Sequence, residues 1–149
     1  TKADKGLCEA ILQDALSGAI SAFDALGKKL RIECPSIFPE KPRNLFQNLI
    51  CLDLCLKEHT VLDIKSRIGD TNWDVLLRLF QVRHIYEHNI GVVDEEFIKK
   101  IPSCMHMLGK KYLLVFTCKN KLNIVNSVLF LIKGVYNGKK SANTLLFRE

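Results

Sequence analysis

No C-x2-C pair occurs anywhere in this chain, so the paired-thiolate spacing of common structural zinc sites is missing. There is no glycine-rich phosphate loop and no G-x-S-x-G elbow. Their absence argues against P-loop, Rossmann and α/β-hydrolase chemistry. No internal repeat or low-complexity tract is present. Nor is any apolar run long enough to cross a bilayer. The most apolar stretch, Leu122 to Tyr136, is interrupted by Asn123, Asn126, Ser127 and Lys133 and is too short and too polar to span one. The chain begins Thr1-Lys2-Ala3, without a methionine and without a charged-then-apolar leader. That start is compatible with a module inside a longer protein.

What is present suits one helical domain. The 149 residues are 48% hydrophobic and 26% charged, enough to bury a core without disulfide or metal staples. The six cysteines, Cys8, Cys34, Cys51, Cys55, Cys104 and Cys118, are read as free thiols, several of them core residues, in a cytoplasmic setting. The formal net charge of +6 suits a polyanionic partner such as RNA, although many proteins carry such a charge with no such role.

Hydrophobic periodicity predicts the elements. Leu7, Ile11, Ala15, Ala19, Phe23, Leu26 and Leu30 recur at helical steps and predict a helix from Leu7 to Ile32 that Gly27 ends or kinks. Pro35, Pro39 and Pro42 force a non-helical connection. A second helix is expected from Arg43 to Glu58, with Leu45, Leu49, Leu52 and Leu56 aligned and Ile50, Cys51 and Leu54 widening the stripe. Thr60 with Asp63, and Thr71 with Asp74, read as capping boxes. They would open a short helix stopped by Gly69 and a longer one from Asn72 to His88 around Trp73, Leu76, Leu77 and Phe80. Asp94 caps another short helix that ends before Pro102. Lys111 to Thr117 reads as an edge strand or extended connector. A last helix follows, carrying Leu122, Val125, Leu129, Ile132 and Val135. The expectation is an all-α, up-and-down bundle of four to five helices over residues 1–149, with one short extended segment near 111–117.

The informative stretch is Arg83-His84-Ile85-Tyr86-Glu87-His88-Asn89, at the C-terminal end of a well-signalled helix. Arginine, four residues and histidine resemble the R-x4-H signature of HEPN ribonucleases. His84 fits the polar position that often follows that arginine, and Asn89 to Asp94 resembles a turn in some branches of the family. The resemblance covers most of the chain through its helical layout. The resemblance implies a metal-independent endoribonuclease of the toxin or phage-defence kind, with no cofactor, working as a homodimer. Each subunit would contribute Arg83 and His88 as catalytic residues to one cleft, with His84, Asn89 and Tyr86 in support. An antitoxin or a fused regulatory domain would control it. The alternative is a non-catalytic HEPN-like module for dimerisation or partner binding in a larger regulatory protein.

The residue types fit such chemistry. RNA cleaves when its 2′-hydroxyl attacks the adjacent phosphorus, which needs proton transfer and stabilisation of the phosphoryl oxygens. Histidine titrates near neutrality, and arginine matches phosphate with a planar, permanently charged fork. Geometry adds a caution: five residues turn about 140° around a helix, so Arg83 and His88 do not share a stripe. His84 and His88 do. The plainer reading of the stretch is an Arg83–Glu87 surface ion pair with His88 complementing the helix dipole.

Other constellations are read as structural. Cys51, Cys55 and His59 lie four apart on one helical face and lack a fourth zinc ligand unless Cys104 or His106 supplies it. Core packing is the simpler account. Cys104 with His106 is no nucleophilic pair on sequence proximity alone. Trp73 is read as a core anchor, and Tyr86 as able to stack on a base or on the Arg83 guanidinium. Lys28, Lys29 and Arg31, with Lys110, Lys111, Lys119, Lys121, Lys133, Lys139 and Lys140, form basic clusters that would steer RNA or simply face solvent.

Overall fold

A computed structural model describes residues 1–60 and 62–114. The chain starts with a long helix, α1 (Lys2–Glu33). Thr1 caps it: its hydroxyl accepts from the Asp4 amide, and the Asp4 side chain answers it, a reciprocal arrangement that satisfies the first orphan donors. After a proline-bearing link, a 3₁₀ turn (Leu45–Gln47) leads into α2 (Leu49–His59). Then come α3 (Ile64–Ile68), α4 (Asp70–His88), α5 (Glu95–Lys100) and a second 3₁₀ turn (Pro102–Met107). The described residues form no strand, and the architecture is an all-α bundle. No described helix is long and apolar enough to cross a membrane.

α4 is the central element and packs against α1, α3 and α5. Its Trp73, Leu76, Phe80, Val82 and Ile85 are buried. Phe23 of α1 meets Phe80 edge-on at 6.2 Å and Phe46 at 6.0 Å, and Phe46 also lies 5.3 Å from Phe38. Such edge and tilted ring pairs are the favoured aromatic geometries.

Several local expectations change in the fold. The predicted core stripe of α1 holds only in its second half. Leu7 and Ile11 are 64% and 58% exposed, and the buried face is Leu16, Ile20, Phe23 and Leu30. The steps of four behind the first stripe drift around a 3.6-residue helix, so an early register does not fix a late one. Gly27 does not end α1, which runs on to Glu33. A Cβ there would stand 2.0 Å from Cγ of Phe46, so the missing side chain admits the ring instead.

The second predicted helix starts late. Pro42 accepts the Leu45 amide in the 3₁₀ turn, and Asn48 then caps α2 by accepting from the Cys51 amide. Leu45, Leu49, Leu52 and Leu56 are buried as expected, while Ile50 and Leu54 face outward. Thr60 opens nothing: it closes α2, its hydroxyl donating to the Leu56 carbonyl at 2.6 Å. Asp63 alone caps α3. Buried Asp53 of α2 adds a second clasp, accepting from the Ile64 and Lys65 amides and pairing with Lys57 at 2.7 Å. Gly69, at φ +81°, ends α3 and directly precedes α4, so Thr71 and Asp74 lie inside α4 rather than capping it.

Asp94 caps α5 through the Phe97 amide, and α5 stops before Pro102. The expected extended segment is an extended connector at 111–114 with one antiparallel bridge, Val92 to Lys111. It is fastened by Val93–Lys110 and Tyr112–Gly91 backbone bonds. Residues 115–117 of that segment, the expected last helix, and Lys119, Lys121, Lys133, Lys139 and Lys140 fall outside the described residues.

Candidate functional site

The last turn and a half of α4 carries the motif. Val82 and Ile85 are buried and fix the helix rotation. Arg83 is thereby turned toward α1 and the first 3₁₀ turn. His84 and His88 fall together on an exposed strip.

Arg83 is half-buried and engaged from two directions. Its Nε stands 2.7 Å from Glu87 Oε1, but the N–H is not aimed at that oxygen, so the contact is Coulombic rather than a hydrogen bond. Its Nη1 donates to Gln47 Oε1 at 3.2 Å. Glu87 in turn accepts from the Ser17 hydroxyl at 2.9 Å. Three elements therefore hold one guanidinium.

Arg83 also forms a wall between two surface depressions. One, of about 170 Å³, is lined by Gln13, Asp14, Ser17, Tyr86 and Glu87 along α1 and α4. The other, of about 100 Å³, is lined by Asn44, Gln47, Asn48, Gln81, His84 and Lys100. The second is strongly polar and holds two fixed cations, Arg83 and Lys100.

The structure brings His84 and His88 into ring contact, 4.7 Å between centres with the planes inclined by 54°. Desolvation, followed by the neighbouring His88, Lys100 and Arg83 and against the pull of Asp94, holds His84 below its usual pKa. His84 thus links the groove, where it sits with Arg83, to His88 on the exposed strip.

The other expected site residues are engaged structurally. Tyr86 does not stack on Arg83 through any described contact. Its hydroxyl reaches Glu9 Oε1 at 2.8 Å and, closer still, the Tyr112 carbonyl. Desolvation and the Glu9 carboxylate raise its pKa well above the ordinary phenol value. Its ring also packs where a Cβ on Gly91 would lie, 2.7 Å from Cε1. Asn89 ends α4 and donates its amide to the Val92 carbonyl at 2.8 Å. Between them Ile90 takes φ +52° at 84% exposure, a left-handed position that normally falls to glycine.

Ser17, Gln47 and Lys100 are the site residues that sequence reasoning missed. Ser17 and Gln47 reach the motif across 70 and 36 residues, and no local spacing announces such contacts. Elsewhere, Cys55 is buried and its thiol donates to the Ile37 carbonyl, while His59 Nδ1 contacts the Cys55 carbonyl. Among the described residues no three His, Cys, Asp or Glu side chains gather as a metal cluster. Of the first basic cluster, Lys28 pairs with Asp24 and Arg31 donates to the Pro42 carbonyl. No protein-family model, no curated protein and no solved structure matches this chain.

Proposed function

We propose that the chain is a HEPN-type, metal-independent endoribonuclease that works as a homodimer in toxin or phage defence. The supporting observation is the end of α4. Arg83 and His84 share a polar groove with Lys100, and the His84 ring touches that of His88. A fixed cation and a linked imidazole pair are the parts that phosphodiester cleavage uses.

In this reading the RNA 2′-hydroxyl attacks the neighbouring phosphorus and loses its proton to a base. The bond to the 5′-oxygen breaks and that oxygen takes up a proton. The products carry a 2′,3′-cyclic phosphate and a 5′-hydroxyl. Arg83 balances charge on the phosphoryl oxygens, while His88 acts as general acid or base. His84 orients His88, and Asn89 closes the turn behind it. Tyr86 supports the site indirectly, by tying α4 to α1 and the 111–114 connector. An antitoxin or fused regulatory domain would restrain the activity in a cytoplasmic setting.

The test is labelled RNA incubated with the chain and a chelator. Cyclic-phosphate ends are expected, and Arg83→Ala and His88→Ala should each slow cleavage by roughly a hundredfold or more while keeping the helical fold. Unchanged cleavage in both variants overturns the reading. One observation favours a second reading: Glu87 and Gln47 already hold the guanidinium. A non-catalytic module for dimerisation or partner binding would need nothing more of Arg83, and failure of the wild-type chain to cleave any RNA would favour it.

A further inference from the structure

His84 and His88 lie one helical turn apart, both exposed. Among the described residues no hydrogen bond occupies a ring nitrogen of either. His59, by contrast, engages a backbone carbonyl. Four-residue spacing on a helix is the spacing at which two imidazoles chelate one ion, as in helical zinc motifs.

The ring separation fits that use. A Zn–N bond is about 2.0–2.1 Å, and a ring nitrogen lies roughly 1.1 Å from its ring centre. Two rings sharing one ion at coordination angles between square and tetrahedral then have centres about 4.5–5.1 Å apart. The observed separation is 4.7 Å. The ring planes are inclined by 54°, so binding would turn the rings to aim one nitrogen of each at the shared ion.

We infer that His84 and His88 form a two-ligand chelate site for a late first-row divalent cation, Zn2+ foremost. No third protein ligand gathers there among the described residues, so water completes the coordination and the site stays open. The nearby Arg83 and Lys100 charges oppose the ion, whereas Asp94 favours it. The site thus takes metal reversibly rather than as a structural staple. The bound ion occupies imidazole lone pairs. On the ribonuclease reading above, it would withdraw His88 from proton transfer and act as an inhibitor. The binding itself does not depend on that reading.

The experiment is calorimetric titration of Zn2+ into the full chain, free of any polyhistidine tag and with thiols kept reduced. One saturable ion per chain is expected. His84→Ala and His88→Ala should each weaken it at least tenfold, with the fold checked by circular dichroism, and His106→Ala should leave it unchanged. Affinity equal to the parent's in the His84→Ala and His88→Ala variants, or no saturable site, overturns the inference. In the RNA assay, Zn2+ should slow the wild-type chain at least tenfold and a chelator should restore it. Cleavage that continues unchanged with the site filled overturns the inhibitory role. An absence of cleavage under all conditions overturns the ribonuclease reading instead and leaves the calorimetric result standing.

Discussion

A methyl group on Gly27 sets two effects against each other. Inside a helix, alanine is favoured over glycine by about 0.8–1.0 kcal/mol. Against that, the new Cβ would lie 2.0, 2.3 and 2.4 Å from Cγ, Cδ1 and Cδ2 of Phe46. Ordinary carbon contacts are about 3.5–4.0 Å, so the ring would have to retreat by roughly 1.5 Å. It has little room to do so: Phe46 is 1% exposed, with Phe23 on one side and Phe38 on another. Overpacking of this kind costs about 3 kcal/mol, the upper end of the usual range. The net expectation for Gly27→Ala is a loss of about 2 kcal/mol, or roughly 4–8 °C in melting temperature for a chain of this size. Gly18 is the internal control, since it lies in the same helix with nothing within 4 Å. Gly18→Ala should gain about 0.5–1 kcal/mol. Urea denaturation of both variants beside the parent measures the difference. A Gly27→Ala chain as stable as the parent refutes the packing account. Because Gln47 follows Phe46 directly, the same variant should also disturb the hold on Arg83.

Three further outcomes are expected. Asp53→Ala removes a buried acceptor of two α3 amides and the partner of Lys57, and should cost about 3 kcal/mol in a denaturation experiment; a loss under half a kcal/mol would contradict this. Asp94→Ala should cost about 1 kcal/mol through loss of the α5 cap, with faster hydrogen exchange at Phe97 as the local sign. Tyr86→Phe bears on pH. The Tyr86 hydroxyl is the largest influence holding the Glu9 carboxyl below its ordinary value of 4.5. That contribution to stability is complete above the unfolded value and fades as pH falls through the lower folded one. The parent should therefore lose stability on acidification more steeply than Tyr86→Phe, and parallel acid limbs in stability measured against pH would exclude the link.

Where a residue's role is set by its immediate neighbours, sequence reading succeeds. Asp94 caps because its side chain needs only the amide three residues on, and Gly69 stops α3 because that position has positive φ. The aligned leucines at 49, 52 and 56 are buried because one face of α2 must be, and Leu45 is buried from the 3₁₀ turn before it. Where a competing contact or distant chain decides, it fails. Thr60 and Asp63 have capping-box spacing, yet the Thr60 hydroxyl finds the carbonyl of the preceding helix first. Gly27 looks like a breaker until Phe46 arrives across the bundle. At the candidate site, the Arg83–Glu87 pair and the His84–His88 face follow from helical spacing and are observed. The parts supplied by Ser17, Gln47 and Lys100 depend on how three other elements pack.

The turn behind the motif carries a consequence of its own. Ile90 is β-branched, faces solvent and is left-handed, a conformation that costs roughly 1–2 kcal/mol for an L-residue with a Cβ. Its side chain recovers little of that by burial. Selection removes variants that fall below a functional threshold but does not push a chain to its optimum. This corner, two residues past His88, is thus a reservoir of untapped robustness. A single exchange to glycine would release it without touching the core.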